Sequence, residues 1–244
     1  GWRRVAVAAR LMGLKAVVFA SEHAVPAKVE AMRALGAEVR LVIGGYEQAE
    51  KSGIQYAAEQ GMTWISPYND GQVIAGQATV GVELLDDIPA EDLEAVVVPV
   101  GGGGLIAGIG LVLQQIPGGH RPLLIGVQSE ASPYFRALLM SGSQDGVVET
   151  DSLADGLAGR VEDHAITIPL VRSLVDDILL VNEVEIEQAV AAAWQRYGAV
   201  IEGSAAVVLA AALAGKFSQR PAALVISGGN IQPQLHEQIG RAHV

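Results

Sequence analysis

The 244-residue sequence contains no cysteine. That excludes disulfides, a thiolate nucleophile and thiolate metal sites, and it leaves the redox compartment open. Positive charge is also scarce: 16 Lys and Arg stand against 27 Asp and Glu, a formal net charge of −11. Nucleic acid and anionic membrane surfaces are held by clustered Lys and Arg, so neither is an expected partner. Aromatic residues make up only 5%. The histidines are His23, His120, His164, His236 and His243, with no i,i+4 pair among them. They read as surface or loop residues rather than metal ligands. One uncharged stretch, Ala95–Ile116, reaches the length of a membrane span. Pro99 and four consecutive glycines divide it, so it reads instead as a buried strand, a loop and a helix. The opening "GWRRVAVAARLMGLK" has neither a long apolar core nor a cleavage site, and no signal peptide is expected there.

What the chain does have is Ala, Val, Leu and Gly in a β/α rhythm. Helix-like "VAVAARLMGL" leads to strand-like "KAVVFA", and "PAKVEAMRALGA" begins with Pro26 at a first helical position. "EVRLVI", "YEQAEKSGIQYAAEQG", "MTWISP" and "QVIAGQATVGVELLDD" continue as strand, helix, strand and helix. The acidic, proline-containing connector "DDIPAEDLEA" (Asp86–Ala95) marks a domain boundary, giving a smaller domain over 1–90 and a larger one over 91–238. Beyond it, "AVVVPV", "PLLIGVQSE", "DDILLVN" and "AALVISGGN" read as strands. "LIAGIGLVLQQI", "PYFRALLMSG", "EVEIEQAVAAAWQRYG" and "GSAAVVLAAALAG" read as helices between them. Such alternation predicts a two-lobed α/β fold, with parallel sheets covered by helices on both faces.

The stretch "VVVPVGGGGLIAGIG" (Val96–Gly110) carries the first functional signal. A glycine loop between a strand end and a helix start presents unpaired N–H groups and the positive end of the helix dipole to an anion. With no Lys or Arg in "PVGGGGLIAG", a phosphate would be held by backbone dipoles. Gly102, Gly104 and Ala107 also fit the spacing of a dinucleotide fingerprint, a weak match in a run of glycines. A tight turn that lets helix and sheet pack closely is the bland alternative.

Six motifs in unbroken order, "PAKVEAMRALGAEV", "VIAGQATVGVELL", "VVVPVGGGGLIAGIG", "GVQSEASP", "ADGLA" and "ISGGN", resemble those of threonine/serine dehydratases. These are fold-type-II pyridoxal-phosphate enzymes, built like the tryptophan synthase β chain and similar also to serine racemase. The resemblance implies that Gly101, Gly102, Gly103, Gly104 and Leu105 cradle the 5′-phosphate of pyridoxal 5′-phosphate. It implies that Ser227 bonds the pyridine nitrogen; a neutral hydroxyl there suits β-elimination better than transamination. A serine that merely turns the chain is the alternative. Glu202 matches a glutamate near the ring, and reads equally well as a helix N-terminal carboxylate. Gly156 is implied to line the site through its backbone, and Tyr68 falls where relatives place an Asn or an aromatic.

Two departures stand out. Serine racemase-like members hold a divalent cation through carboxylates, whereas the matching positions here are Gln128 and Tyr134, so no metal is expected. The family's "Ser-x-Lys-x-Arg" segment with its Schiff-base lysine is also missing. Lys15, Lys28, Lys51 and Lys216 all lie in other contexts and read as surface residues. The chain is therefore expected to be an inactive fragment, truncated at its N-terminus, with "IGRAHV" (239–244) a non-native tail. The resemblance implies a cytoplasmic, homo-oligomeric parent enzyme that converts L-threonine or L-serine to a 2-keto acid and ammonia. A sister lyase or racemase, a dinucleotide-binding oxidoreductase and a non-catalytic binding fragment are the other readings.

Overall fold

A computed structural model describes residues 2–118 and 121–242, so His120 and His243 lie outside the described residues. The chain divides into two units, Gly1–Pro67 and Tyr68–Val244. The first unit contains α1 (Trp2–Met12), β1 (Val17–Ser21), α2 (Pro26–Ala34), β2 (Glu38–Val42) and α3 (Tyr46–Gln60). β1 and β2 pair in parallel from Val17 opposite Glu38 to Ser21 opposite Val42. Ala6, Val18, Met32 and Ala37 form a small core. "MTWISP" is not a strand. A strand exists only with a ladder partner for its N–H and C=O groups. β1 and β2 take each other, and no described strand pairs with 62–67.

The second unit contains α4 (Gly71–Asp87), β3 (Ala95–Pro99), α5 (Gly104–Leu113), β4 (Leu123–Ser129), α6 (Tyr134–Ser141) and α7 (Thr167–Leu174). β5 (Asp177–Val181), α8 (Glu183–Tyr197), α9 (Gly203–Leu213), β6 (Ala222–Leu224) and α10 (Pro233–Ala242) complete it. Its four strands run parallel in the order β5-β4-β3-β6. All five residues of β3 are buried, and they alternate between two cores. Ala95 and Val97 pack with Val190 of α8 and Val207 of α9. Val96 and Val98 pack with Ile109 of α5, Phe135 of α6 and Val171 of α7. A period-two strand buried on both faces is the signature of a covered parallel sheet. Each such valine stabilises the unit by about 1.5–3 kcal/mol relative to exposure.

α4 belongs to this second unit, although the acidic connector suggested a boundary after it. A Cβ on Gly108 of α5 would lie 2.7 Å from both Ala78 N and Ile74 O, so the two helices meet backbone to backbone. The connector's polar, proline-containing composition reflects the chain turning from α4 into β3, through a short 3-10 turn at Ala90–Asp92. α7 and α10 were not anticipated. α10 runs through the start of the expected tail and buries Ile239 at 2% exposure. Among the described residues, no helix is long and apolar enough to cross a membrane.

Candidate cofactor site

In a parallel sheet the chain leaves every strand at the same edge. Ligands bind beyond that edge where successive connections diverge to opposite sides. Here the divergence falls at β3, whose neighbours are β4 on one side and β6 on the other. The glycine loop follows β3 and Ser227 follows β6. Ladder bonding continues just past β6, where Val225 N–H donates to Val97 O at 2.9 Å. Ser227 then lies half-buried beyond the ladder, off the strand that the sequence suggested would include it.

The loop is shaped by what surrounds it. Gly103 caps α5 with φ +85°, a left-handed conformation that disfavours any side chain. Its missing Cβ would lie 2.7 Å from the Phe135 ring. The absent Cβ of Gly102 would lie 2.2 Å from the Tyr68 ring, and that of Gly104 would lie 3.1 Å from Tyr68 Cα. On Gly101 it would meet Leu157 Cα at 3.2 Å. Close packing therefore requires glycine here in its own right, as the bland reading held. Packing leaves the N–H groups unused, however: among the described residues, none from Gly101 to Leu105 donates a hydrogen bond. Gly103 and Gly104 are buried, while Gly101, Gly102 and Leu105 are half-buried. Buried N–H groups without acceptors are rare in folded proteins. At a helix N-terminus they suit an anion's oxygens, and so they fit a cofactor phosphate.

Of the other residues singled out in the sequence, Tyr68 and Gly156 border this loop, and Glu202 borders Gly228. Tyr68 is buried with its ring against Gly102, and its hydroxyl accepts from Glu162 N–H at 2.9 Å. Glu202 occupies the N-cap position of α9, yet its side chain makes no capping bond. Its carboxylate lies over Gly228 instead, with Oε1 2.0 Å from where a Cβ would be, and Glu202 N–H donates to Gly228 O at 3.2 Å. Glu202 thus stands at the N-terminus of α9 with its carboxylate against Gly228, the residue after Ser227. Gly156 donates its N–H to Ser204 Oγ at 2.9 Å, and its carbonyl lies near Gly101.

The positions read as departures have partners of their own. Gln128 is 1% exposed, donates from Nε2 to Val100 O at 3.2 Å and accepts from Arg136 N–H at 2.9 Å. Burial, followed by the nearby Glu149 carboxylate, raises the Tyr134 phenol above its ordinary pKa and keeps it neutral. Among the described residues there is no cluster of three metal-ligating side chains. Lys15 pairs with Glu38, Lys51 with Glu47 and Lys216 with Glu185, and Lys28 is half-buried on α2. Lys216 follows the far end of α9, about 20 Å along the helix from Glu202 at a rise of 1.5 Å per residue. Sequence reasoning missed Phe135, Ser204 and the carboxylate–serine contacts behind the loop. Each is an ordinary residue type, brought there by chain topology rather than by a local motif.

A parallel α/β unit with a glycine loop of unused N–H groups at its switch point has the architecture on which phosphorylated ligands are commonly held. The model of one family, the pyridoxal-phosphate dependent enzymes, matches residues 3–228, and the chain belongs to that family. It is 36% identical over 236 residues to an L-threonine ammonia-lyase of Thermotoga maritima, covering 96% of this chain and 58% of that protein. An L-threonine ammonia-lyase of Geobacter sulfurreducens is 38% identical over 229 residues, with 93% of this chain and 56% of that protein covered. The chain thus spans somewhat over half the length of these curated relatives. The structure of maize serine racemase superposes with a TM-score of 0.85 at 29% identity, over 99% of this chain and 74% of that one. Threonine deaminase isoform 2 from Solanum lycopersicum gives 0.85 at 27% identity, over 98% and 70%.

Proposed function

We propose that this chain is the cofactor-holding part of a pyridoxal-phosphate dependent ammonia-lyase that converts L-threonine or L-serine to a 2-keto acid and ammonia. The observation that carries this is the row of unused N–H groups at Gly101–Leu105, which follow β3 while Ser227 follows the neighbouring β6. Likeness to the two L-threonine ammonia-lyases supports the substrate class. When bound, pyridoxal phosphate supplies an electron sink for charge developing on the substrate carbon next to the amino group.

The chain's own residues have distinct tasks in this reading. The N–H groups of Gly101–Leu105 take the phosphate oxygens, with Tyr68 and Leu157 packed against the loop. Ser227 offers the ring nitrogen a neutral hydroxyl, which does not fix a proton there as a carboxylate would. Glu202, over Gly228, orients the ring or the substrate. None of the four lysines lies in the "Ser-x-Lys-x-Arg" context that carries the family's Schiff-base lysine, and on this reading the chain as given binds the cofactor non-covalently and does not turn over. We place the longer parent enzyme in the cytoplasm as a homo-oligomer, on the strength of the family resemblance alone.

Two measurements test the proposal. Titrating the chain with pyridoxal phosphate and with pyridoxal should show binding that depends on the phosphate. Borohydride treatment should then leave Lys15, Lys28, Lys51 and Lys216 without stoichiometric label. Stoichiometric labelling of one of them, with keto-acid release from threonine, defeats the non-covalent assignment. Likeness to maize serine racemase favours racemisation as a second reading. Product analysis with a longer protein containing this chain separates the two, since D-serine without keto acid would identify a racemase.

A further inference from the structure

Glu183 is the first residue of α8, and its carboxylate is engaged outside its own helix. The cap of α8 is already complete. Asn182 accepts from Glu185 N–H at 3.0 Å, and Glu185 accepts from Asn182 N–H at 2.9 Å. Glu183 Oε1 accepts from Ser129 Oγ at 2.8 Å and from Ser152 Oγ at 2.6 Å, and Oε2 accepts from Leu153 N–H at 2.7 Å. Ser129 ends β4 and is 2% exposed. One carboxylate therefore ties the beginning of the Ser152–Leu157 segment to the sheet. Ser204 Oγ holds the segment further along, at Gly156 N–H. Leu157 Cα then sits 3.2 Å from where a Cβ on Gly101 would be, so this segment is the wall against which the cradle's first residue rests.

We infer that Glu183 is a positioning residue for the cofactor phosphate, acting through Ser152–Leu157 on the backbone of Gly101. This rests on the reading of Gly101–Leu105 as a phosphate cradle. Charge-assisted hydrogen bonds are about twice as strong as neutral ones. In Glu183→Gln one end of the side chain becomes a donor facing donors. Hydroxyls can rotate to accept from it, but the Leu153 N–H cannot. The three bonds survive only in weakened form, and the segment loosens from the strand end.

The test uses the full chain and three variants: Glu183→Gln, Ser152→Ala, which removes one loop-side partner and keeps the carboxylate, and Asn182→Ala, which damages the cap of α8 alone. Binding of pyridoxal phosphate and of pyridoxal is measured beside amide hydrogen exchange. Glu183→Gln should weaken pyridoxal phosphate binding about tenfold, leave pyridoxal binding unchanged, and speed exchange from Leu153 through Leu157 and at Ala107, whose N–H donates to Gly103 O at 3.0 Å. Ser152→Ala should do the same to a smaller degree. Asn182→Ala should lower the melting temperature without either effect. Equal affinity in Glu183→Gln and wild type, or equal losses for both ligands, overturns the inference. Should the wild-type chain bind no pyridoxal phosphate, the cradle reading itself falls. The exchange data then decide the positioning role alone: faster exchange that stops within Leu153–Leu157 overturns it, and spread to the Ala107 N–H held by Gly103 O upholds the coupling.

Discussion

The two units use their carboxylates differently. In Gly1–Pro67, charged side chains pair with one another at the surface: Lys15 and Arg40 with Glu38, Arg33 with Glu30, Lys51 with Glu47. Several carboxylates of Tyr68–Val244 instead accept from backbone N–H groups. Asp176 takes Leu124, Glu149 takes Gly159, Glu183 takes Leu153 and Glu94 takes Arg220. An exposed ion pair between two long, mobile side chains contributes little and fixes little. A carboxylate bonded to the main chain sets where a loop lies. The unit that carries the candidate site anchors several loops in this way. Among the described residues of the first unit, the one such bond runs from Gly44 N–H to Glu22 at 3.1 Å.

The largest break in that contrast should come from Gly103→Val. A β-branched residue would have to adopt a left-handed backbone and displace the Phe135 ring. We expect a loss of about 3 kcal/mol or more in the second unit, together with all phosphate-dependent binding. Denaturant unfolding followed by circular dichroism measures this, and a variant of near wild-type stability would show that the loop is not fixed as described. Ser227→Ala comes next. Losing one hydrogen bond to the ring should weaken pyridoxal and pyridoxal phosphate equally, by about three- to tenfold, with less than about 1 kcal/mol lost in stability. Parallel loss of folding would instead make Ser227 a turn residue only.

The smallest effect belongs to Glu38 in the first unit. Hydrogen bonds from Arg40 and then Lys15 hold its carboxyl below the ordinary range. A depressed folded pKa contributes stability that is present above the unfolded value of about 4.3 and lost as pH falls through the folded one. Glu38→Gln should therefore melt slightly earlier than wild type near pH 7. The difference should vanish at acid pH and shrink in high salt. A difference that persists at acid pH would mean that Glu38 fixes structure, as the carboxylates of the other unit do.

The sheet edge and the glycine loop were legible in the sequence because their signals are local. β-branched runs, four glycines and the helix start at Gly104 lie within fifteen residues. "MTWISP" misled because a strand is a property of a pair, and its composition cannot supply the partner. "TIPLVRSL", which became α7, was hidden by Pro169 near its start, a position that helices tolerate in their first turn. Glu183 could not be read at all. Its partners Ser129 and Ser152 come from other elements, and nothing in "LVNEVEI" distinguishes a carboxylate that looks outward from one that serves its own helix.

The contact between Tyr68 and Gly102 also restricts the order in which descendants of this chain could change. With the aromatic ring 2.2 Å from where a side chain at 102 would begin, no mutation at 102 is tolerated while Tyr68 keeps its bulk. A replacement at 68 by something smaller leaves a gap but no clash, and only after it could a side chain enter at 102. Lineages could therefore travel from a large 68 with glycine at 102 toward a small 68 with alanine, one step at a time, and back only by retracing those steps in reverse. The reverse order in either direction passes through a sequence that cannot pack.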